Sequence, residues 1–167
     1  MRIALISDTH GLIPEDVFPY LEECDEVWHA GDIGKVEMFD QLKDQYPLIE
    51  VWGNIDNAEI RNQSNEWVLI EREGIKALII HIGGYPGRYS RKAQELILDH
   101  QPDLFISGHS HILKIMRDPH SKMLHMNPGA CGYKGFHHFR TMIRFSITDG
   151  KIHDVQAIEI GKRGMTN

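Results

Sequence analysis

The sequence predicts an α/β fold in which parallel strands joined by helices come first and antiparallel strands follow. In residues 3–52, short apolar runs of the kind that form buried strands alternate with two segments of helical character. Strand-helix-strand order places the strands parallel, because each crossover helix returns the chain to the same edge of the sheet. After residue 103, strand-like runs are separated by turn signals such as Asp118-Pro119 and Asp149-Gly150, which is typical of antiparallel pairing.

The first half of the chain supplies three strands and two helices. The run 3–7 is short and mostly apolar, as expected for a strand that is covered on both faces. Pro14 suits the first turn of a helix, whereas Pro19 disfavours a continuous one. Phe39 and Leu42 are the expected inner-face residues of the second helix. The predicted elements are strand 3–7, helix 14–23, strand 26–30, helix 36–45 and strand 48–52.

The second half is richer in strands. A turn over 72–75 joins two apolar runs into a predicted hairpin, and Ser90 is the expected N-cap of the helix that follows. The predicted elements are strands 67–71 and 76–80, helix 90–100, and strands 103–107, 112–117, 122–126, 141–148 and 151–160.

Composition limits the classes of function. The 167 residues predict one domain, 1–167, and the formal net charge of −6 argues against a basic face for long nucleic acids. Cys24 and Cys131 form no disulfide framework, so a reducing cytoplasm fits best. We expect no signal peptide, membrane span or membrane partner. Whether the chain acts alone or as a homo-oligomer stays open.

Polar clusters directly follow five of the apolar runs, and they are the most informative feature of the chain. Buried polar groups are costly unless something binds them, and ligands of α/β sheets bind beyond the carboxyl ends of the strands. A pair of divalent metal ions would bind all of these donors. The clusters are Asp8-Thr9-His10, Gly31-Asp32, Gly53-Asn54, the single His81, and Gly108-His109-Ser110-His111.

The donor types narrow the choice of metal. Mixed imidazole and carboxylate ligation suits Mn, Ni, Fe or Zn and does not exclude Mg, and we take Mn as the first expectation. Because cysteine thiolates are not part of the set, a closed structural zinc site is disfavoured. The glycines before Asp32 and Asn54 would let the backbone bend tightly and approach a ligand.

In this order, the five clusters resemble the signature of calcineurin-like metallophosphoesterases. The resemblance covers residues 1–111. The opening LISDTHG and the segment NPGA at 127–130 are similar to the small bacterial and archaeal phosphodiesterase branch of that superfamily. It implies a four-layer αββα sandwich of two mixed β-sheets flanked by helices, with two metal ions at one edge. It also implies a hydrolase that cleaves phosphate esters, most of all small phosphodiesters, by attack of a metal-bridging hydroxide.

The resemblance also assigns residues to the two metals. The first metal would be held by Asp8, His10, Asp32 and His111. The second would be held by Asp32, Asn54, His81 and His109, so that Asp32 bridges the pair. The catalytic residues would be Asp32, Asn54, Asp56 and His109.

One departure from the family pattern changes the expected chemistry. Many members have histidine after the Gly-Asn pair, where it stabilises the transition state or protonates the leaving group. This chain has Ile55, which can do neither, and general acid catalysis is typically worth about 10²–10⁴-fold. Substrates with good leaving groups are therefore favoured, unless another residue substitutes. Asp56 is expected to orient a metal ligand.

The segment 133–140, YKGFHHFR, combines cationic and aromatic side chains. We predict that it covers the metal edge and that Lys134, His137 and Arg140 contact a substrate phosphate. The alternative is a solvated loop that leads into the last hairpin. His137 is also a candidate for the missing acid.

Several alternatives stay open at this stage. A phosphomonoesterase could use the same site, and a protein-interaction scaffold of the same fold has a precedent in the retromer subunit of the superfamily. His29 either supports the site or packs below the sheet, and Asn127 either supports the site or builds a turn. Trp28 and Trp52 are expected in the core.

Overall fold

The structure is a computed structural model that describes residues 1–164, so the last three residues of the predicted domain lie outside it. The strands, in chain order, are β1 (Arg2–Ile6), β2 (Glu26–His29), β3 (Leu48–Glu50), β4 (Trp67–Arg72), β5 (Ile75–Ile80), β6 (Gly84–Tyr85), β7 (Arg88–Tyr89), β8 (Leu104–Ile106), β9 (Leu113–Arg117), β10 (Leu124–Pro128), β11 (Phe139–Thr148) and β12 (Lys151–Lys162). The α-helices are α1 (Phe18–Glu22), α2 (Val36–Gln45), α3 (Ala58–Gln63) and α4 (Arg91–His100).

Two mixed five-stranded sheets form the body of the protein. The first has the order β12-β11-β1-β2-β3 and the second the order β4-β5-β8-β10-β9. In the first sheet β1, β2 and β3 are parallel, and β11 runs antiparallel to β1. In the second, β5, β8 and β10 are parallel. The central strands of each sheet therefore end at one edge.

Burial on both strand faces creates the layers. In β1, Ile3 and Leu5 pack into a core between the two sheets, where Ile79 and Ile106 of the second sheet meet them. Ala4 and Ile6 point the other way, into a core shared with α1, α2 and α3. A third core joins the second sheet to α4. This arrangement confirms the predicted α/β class and the αββα sandwich.

The helix expected at 14–23 differs from the prediction. A 3₁₀ turn at Glu15–Val17 precedes α1, and Pro19 lies in the first turn of α1. Because the N–H groups of a first turn have no partner within the helix, Pro19 starts this helix instead of breaking it. Pro19 therefore marks the start of α1, and not a break within a longer helix.

Two further elements were not predicted. The short helix α3 follows Asn57, whose side chain accepts a hydrogen bond from the backbone N–H of Ile60 as an N-cap. The two-stranded ribbon β6–β7 follows the loop that carries His81. Each is too short for a periodic hydrophobic pattern to develop, so the signals available were the cap and the glycines. Within residues 1–164, no helix has the length and apolar character needed to cross a membrane.

Candidate metal centre

The carboxyl ends of five parallel strands carry the predicted donors. Asp8 and His10 follow β1, Asp32 follows β2, and Asn54 follows β3. In the second sheet, His81 follows β5, and His109 with His111 follows β8. Since both sheets present these ends at the same edge, loops that are distant in the chain meet there.

The backbone at this edge adopts an uncommon conformation. Among the residues described, ten non-glycine residues have a positive φ, and half of them are predicted metal ligands. Such a backbone costs on the order of 1–3 kcal/mol per residue and persists where the surroundings impose it. Hydrogen bonds between loops impose this backbone conformation here. The N–H of Asp8 donates to the Gly31 carbonyl at 2.9 Å, and the N–H of His10 donates to the Asp32 carbonyl at 3.0 Å. The ligands concerned are Asp8 (φ 55°), His10 (51°), Asp32 (57°), His109 (67°) and His111 (57°).

A first cluster consists of Asp8, His10 and His111, whose candidate ligand atoms lie within 4.8 Å of one another. Nε2 of His111 is 3.0 Å from Oδ1 of Asp8 and 3.4 Å from Nε2 of His10. The other oxygen of Asp8 accepts hydrogen bonds from the Ser7 hydroxyl at 2.6 Å and the His109 N–H at 3.2 Å. Oδ1 is buried and has no hydrogen-bond partner among the residues described.

A second cluster consists of Asp8, Asp32 and His81, again within 4.8 Å. Nδ1 of His81 donates to the Ala30 carbonyl at 2.7 Å, which leaves Nε2 as a bare acceptor 3.2 Å from Oδ1 of Asp32. Nε2 makes no hydrogen bond among the residues described, although it is buried. Two acceptors in contact repel each other unless a cation lies between them, so this donor set fits a metal ion.

Asp32 faces both clusters. Its Oδ1 lies near His81, and its Oδ2 is 3.9 Å from Nε2 of His10. Gly53 makes this approach possible, because a Cβ at that position would lie 2.1 Å from Oδ1 of Asp32. A carboxylate with one oxygen toward each cluster can bridge two ions.

Charges in the site suit a cation. Burial would raise the pKa of Asp32, but contact with His81 outweighs it and holds the pKa below its usual range. Burial opposes protonation of His81, yet contact with Asp32 and the charge of Asp8 raise its pKa, so without a metal a proton can lie between Nε2 and Oδ1, in the place that a metal ion would take. Burial lowers the pKa of His10, which favours the neutral imidazole that ligates metals.

His109 and Asn54 lie beside the second cluster. The His109 ring packs edge-on against the His81 ring, with centroids 5.3 Å apart. Asn54 and His81 line one groove of about 310 Å³, together with Trp52 and Ile82. The backbone carbonyl of Asn54 accepts a hydrogen bond from Arg61 at 3.1 Å. Asn54 itself is exposed at the tip of its loop. Trp52 is half-buried in this groove, so it is a wall of the site and not a pure core residue.

Asp56 acts on the loops and not on a substrate. Its carboxylate accepts hydrogen bonds from three backbone N–H groups: Ile33 at 3.1 Å, Gly34 at 2.6 Å and Gly53 at 2.8 Å. It is buried, and it ties the loop that carries Asp32 to the loop that carries Asn54. These contacts agree with the ligand-orienting role that the sequence predicts for Asp56.

His29 and Asn127 support the site from below. Nε2 of His29 contacts the Thr9 hydroxyl at 2.9 Å, and its Nδ1 accepts from the Gly31 N–H at 3.1 Å. Burial lowers the pKa of His29 to about 4, so the ring is neutral. The Asn127 amide donates to the Gly108 carbonyl at 2.8 Å. Through these contacts both residues stabilise the loops that carry the predicted metal ligands.

The segment 133–140 reaches the metal edge, but its cationic residues differ in what they do. Lys134 lines a groove of about 160 Å³ beside His10. His137 turns to His111 instead, with the two Nδ1 atoms 3.2 Å apart.

Arg140, a predicted substrate contact, is paired with Asp16 in this structure. It donates twice to Asp16, at 2.8 and 2.6 Å, and its guanidinium stacks on Tyr133. Arg140 is 5% exposed, and its guanidinium charge is paired with the Asp16 carboxylate. A sequence window cannot reveal this pairing, because Asp16 lies 124 residues away.

The sequence patterns did not predict the exposed apolar side chains that surround the site. Each lies within two residues of a predicted ligand or of His137, and exposed large apolar groups near one site point to an interaction. For three of these residues the signal was present in the sequence, because Ile55, Ile82 and Ile112 directly follow predicted ligands. These residues are Leu12, Ile55, Ile82, Ile112 and Phe136.

Comparisons with known proteins agree with this geometry. Residues 1–150 match the calcineurin-like phosphoesterase superfamily domain. A probable metallophosphoesterase of Methanothermobacter thermautotrophicus is 31% identical over 137 residues, which cover 78% of this chain and 77% of that protein.

Solved structures share the fold. The zinc complex of Vps29 from Entamoeba histolytica has a TM-score of 0.72 at 18% identity, covering 96% of this chain and 100% of that one. An archaeal phosphodiesterase has a TM-score of 0.67 at 20% identity, covering 95% and 100%. The predicted donors lie at one edge in the order of the family signature, and together with the domain match and the archaeal relative they show that the chain belongs to the calcineurin-like phosphoesterase superfamily.

Proposed function

We propose that the protein is a dimetal phosphodiesterase that cleaves small phosphate diesters. The observation that carries the proposal is a pair of buried acceptors without hydrogen-bond partners among the described residues, Oδ1 of Asp8 and Nε2 of His81, which lie in the two candidate metal clusters. Two divalent ions bound there would supply an activated water and neutralise charge on the phosphoryl group. The mixed imidazole, carboxylate and amide donors suit Mn, Ni, Fe or Zn, of which we take Mn²⁺ as the first choice.

Each side chain has a role in this proposal. Asp8, His10 and His111 would hold the first ion, and Asn54, His81 and His109 would hold the second. Asp32 holds both, because its two oxygens point to different clusters. Cytoplasmic conditions, which keep Cys24 and Cys131 reduced, fit the protein best.

Ile55 supports a preference for acidic leaving groups. Its backbone N–H donates to Oδ1 of Asp32 at 3.1 Å, so the residue helps to orient a ligand. Its side chain is 44% exposed and has no proton to give. An aryl oxide departs without protonation, whereas an alkoxide does not.

The grooves beside the two clusters support a diester over a monoester. Leu12, Lys35, Tyr133 and Lys134 line the groove next to His10. The other groove lies next to His81. A diester has two organic arms and can place one in each groove, whereas a monoester has a single arm. Apolar rims suit organic arms better than a polynucleotide backbone.

A scaffold role is the second candidate, and a specific observation favours it. The apolar residues around the site could contact another protein, and Vps29, a vacuolar protein sorting protein, has the same fold. The unpartnered acceptors of both clusters favour the enzyme.

The test uses protein that is stripped of metal and reloaded with Mn²⁺. We expect bis(p-nitrophenyl) phosphate to be cleaved faster than p-nitrophenyl phosphate, and diester rates to fall steeply as the leaving-group pKa rises. Ile55→His should flatten that dependence, with a gain of up to about 10²-fold on poor leaving groups. Ile55→Leu is the matched control and should keep the steep dependence.

Two outcomes would contradict the proposal. If metal-loaded protein cleaves no activated ester, the scaffold role takes its place. A flat dependence in the unmodified protein would mean that another group protonates the leaving oxygen.

A further inference from the structure

His137 lies behind His111, on the side away from Asp8. The Nδ1 atoms of the two histidines are 3.2 Å apart, and their rings meet edge-on with centroids 5.2 Å apart. On its other side, Nε2 of His137 lies 3.0 Å from the Gly132 carbonyl. His137 therefore connects a predicted ligand to the backbone of its own loop.

The hydrogen bonds of this chain determine where the protons lie. A carbonyl oxygen accepts, so Nε2 of His137 carries the proton of its ring. Nδ1 of His137 is then an acceptor, and Nδ1 of His111 must donate to it.

The consequence reaches the first cluster. With its proton on Nδ1, His111 presents a bare Nε2 at 3.0 Å from the unpartnered Oδ1 of Asp8. This is the tautomer that a metal needs, since the ligating nitrogen must have a free lone pair.

The loop is built to hold His137 in place. A Cβ on Gly135 would lie 2.1 Å from Nδ1 of His111, so the loop packs directly on the ligand ring. Arg163 donates to the Gly135 carbonyl. The pair of Arg140 with Asp16 and its stacking on Tyr133 anchor the segment at both ends.

We propose that His137 is a positioning residue of the first metal site, which sets the tautomer and orientation of His111. We name residues 132–138 the clasp. The proposal rests on metal binding in the proposed function, and it replaces substrate contact as the task of His137. Partners of this kind typically change metal affinity by about 10–100-fold.

The experiment measures Zn²⁺ affinity by competition with a chelating dye, in a His81→Ala background that isolates the first site. His137→Phe keeps the ring volume but removes the acceptor, and about 10–100-fold weaker binding is expected. His137→Asn places an amide oxygen where Nδ1 lies, and should recover part of that loss. His138→Ala is the matched control, because His138 is an exposed histidine of the same segment and should leave affinity unchanged.

A second measurement reports on the proton itself. In zinc-loaded protein, ¹⁵N NMR should show the His111 proton on Nδ1, and His137→Phe should broaden or shift that signal. Melting temperatures of the metal-free variants separate misfolding from lost affinity. If His137→Phe does not fold, His137→Asn becomes the test. The proposal then requires the zinc affinity of His137→Asn to lie within a few-fold of that of the protein with His137 intact.

The outcomes distinguish this proposal from the function. Unchanged zinc affinity in His137→Phe overturns it, and so does a higher KM for the diester with affinity intact, which would return His137 to the substrate. Loss of affinity in His138→Ala to the same degree also overturns it. If the unmodified protein binds two metals and cleaves no ester, the proposed function fails while the role of His137 stands.

Discussion

The two metal clusters orient their histidines in different ways. His81 of the second cluster is held by the Ala30 carbonyl at 2.7 Å, a backbone group at the end of β2. His111 of the first cluster is held by a side chain, that of His137, on the clasp. His81 is 2% exposed, whereas His10 and His111 are 15% and 13% exposed.

This difference predicts unequal metal sites. A sheet backbone is rigid and needs no further residue to hold an acceptor in place. A loop must be anchored, and here the anchors are single side chains such as Arg140. We therefore expect the second site to keep its ion and the first to exchange it, with the first responding to substitutions in the clasp.

The largest effect is expected where the clusters meet. Asp32→Asn should weaken both sites, because the residue faces His10 and His81 alike. Metal analysis after reloading should show less than one ion per chain, and diester cleavage should fall by more than the roughly 10–100-fold typical of an outer partner. Asp40→Asn, on the exposed face of α2, is the control. Retention of two ions by Asp32→Asn would contradict the bridging role.

Single-ligand variants separate the clusters. His81→Ala and His111→Ala should each reduce the metal content from two ions to one. In a chelator time course, His81→Ala should lose its remaining ion faster than His111→Ala, because the ion left in the first site depends on the clasp. His120→Ala serves as the control, since His120 is exposed at the opposite end of β10. Equal rates of loss would remove the distinction between the sites.

The smallest effect concerns the anchor of the clasp. Arg140→Ala should lower the free energy of unfolding by about 1–2 kcal/mol at pH 7, a modest value because Asp16 is 50% exposed. Affinity of the first site should fall a few-fold. Lys134→Ala, on an exposed residue of the same segment, should change stability by less than about 0.5 kcal/mol.

Acid should abolish the stability difference between Arg140→Ala and the unmodified protein. The hydrogen bond from Arg140 lowers the pKa of Asp16 in the folded state. A lowered carboxyl pKa adds stability above the unfolded value near 3.9, and that stability is lost as the pH falls through the folded value. Urea unfolding at pH 7 and at a series of pH values that extends below the lowered pKa of Asp16 tests this. A penalty for Arg140→Ala that persists in acid would mean that packing on Tyr133, and not the ion pair, carries the effect.

The family and the fold class could be predicted from the chain because their signals are local. Each polar cluster directly follows a strand-like run, so the strand, the turn and the predicted metal ligand lie within one short segment of the sequence. The alternation of strand and helix likewise predicts parallel strands whose carboxyl ends meet at one edge, as β1, β2 and β3 do. The glycines before Asp32 and Asn54 predict close backbone approaches, and a Cβ on Gly31 would lie 2.5 Å from Nδ1 of His81, whereas one on Gly53 would lie 2.1 Å from Oδ1 of Asp32.

Other features depend on contacts between distant parts of the chain. Arg140 and Lys134 are equally cationic in the sequence, yet Arg140 meets Asp16 and Lys134 faces a groove. His137 could bind substrate or support a ligand, and its distance from His111 decides between them. Local sequence therefore determined which groups could bind metal, because donor type and strand position are properties of short segments. The tertiary structure alone decided which cations remain free and which histidine supports another, because hydrogen-bond partners are set by distances that no short segment contains.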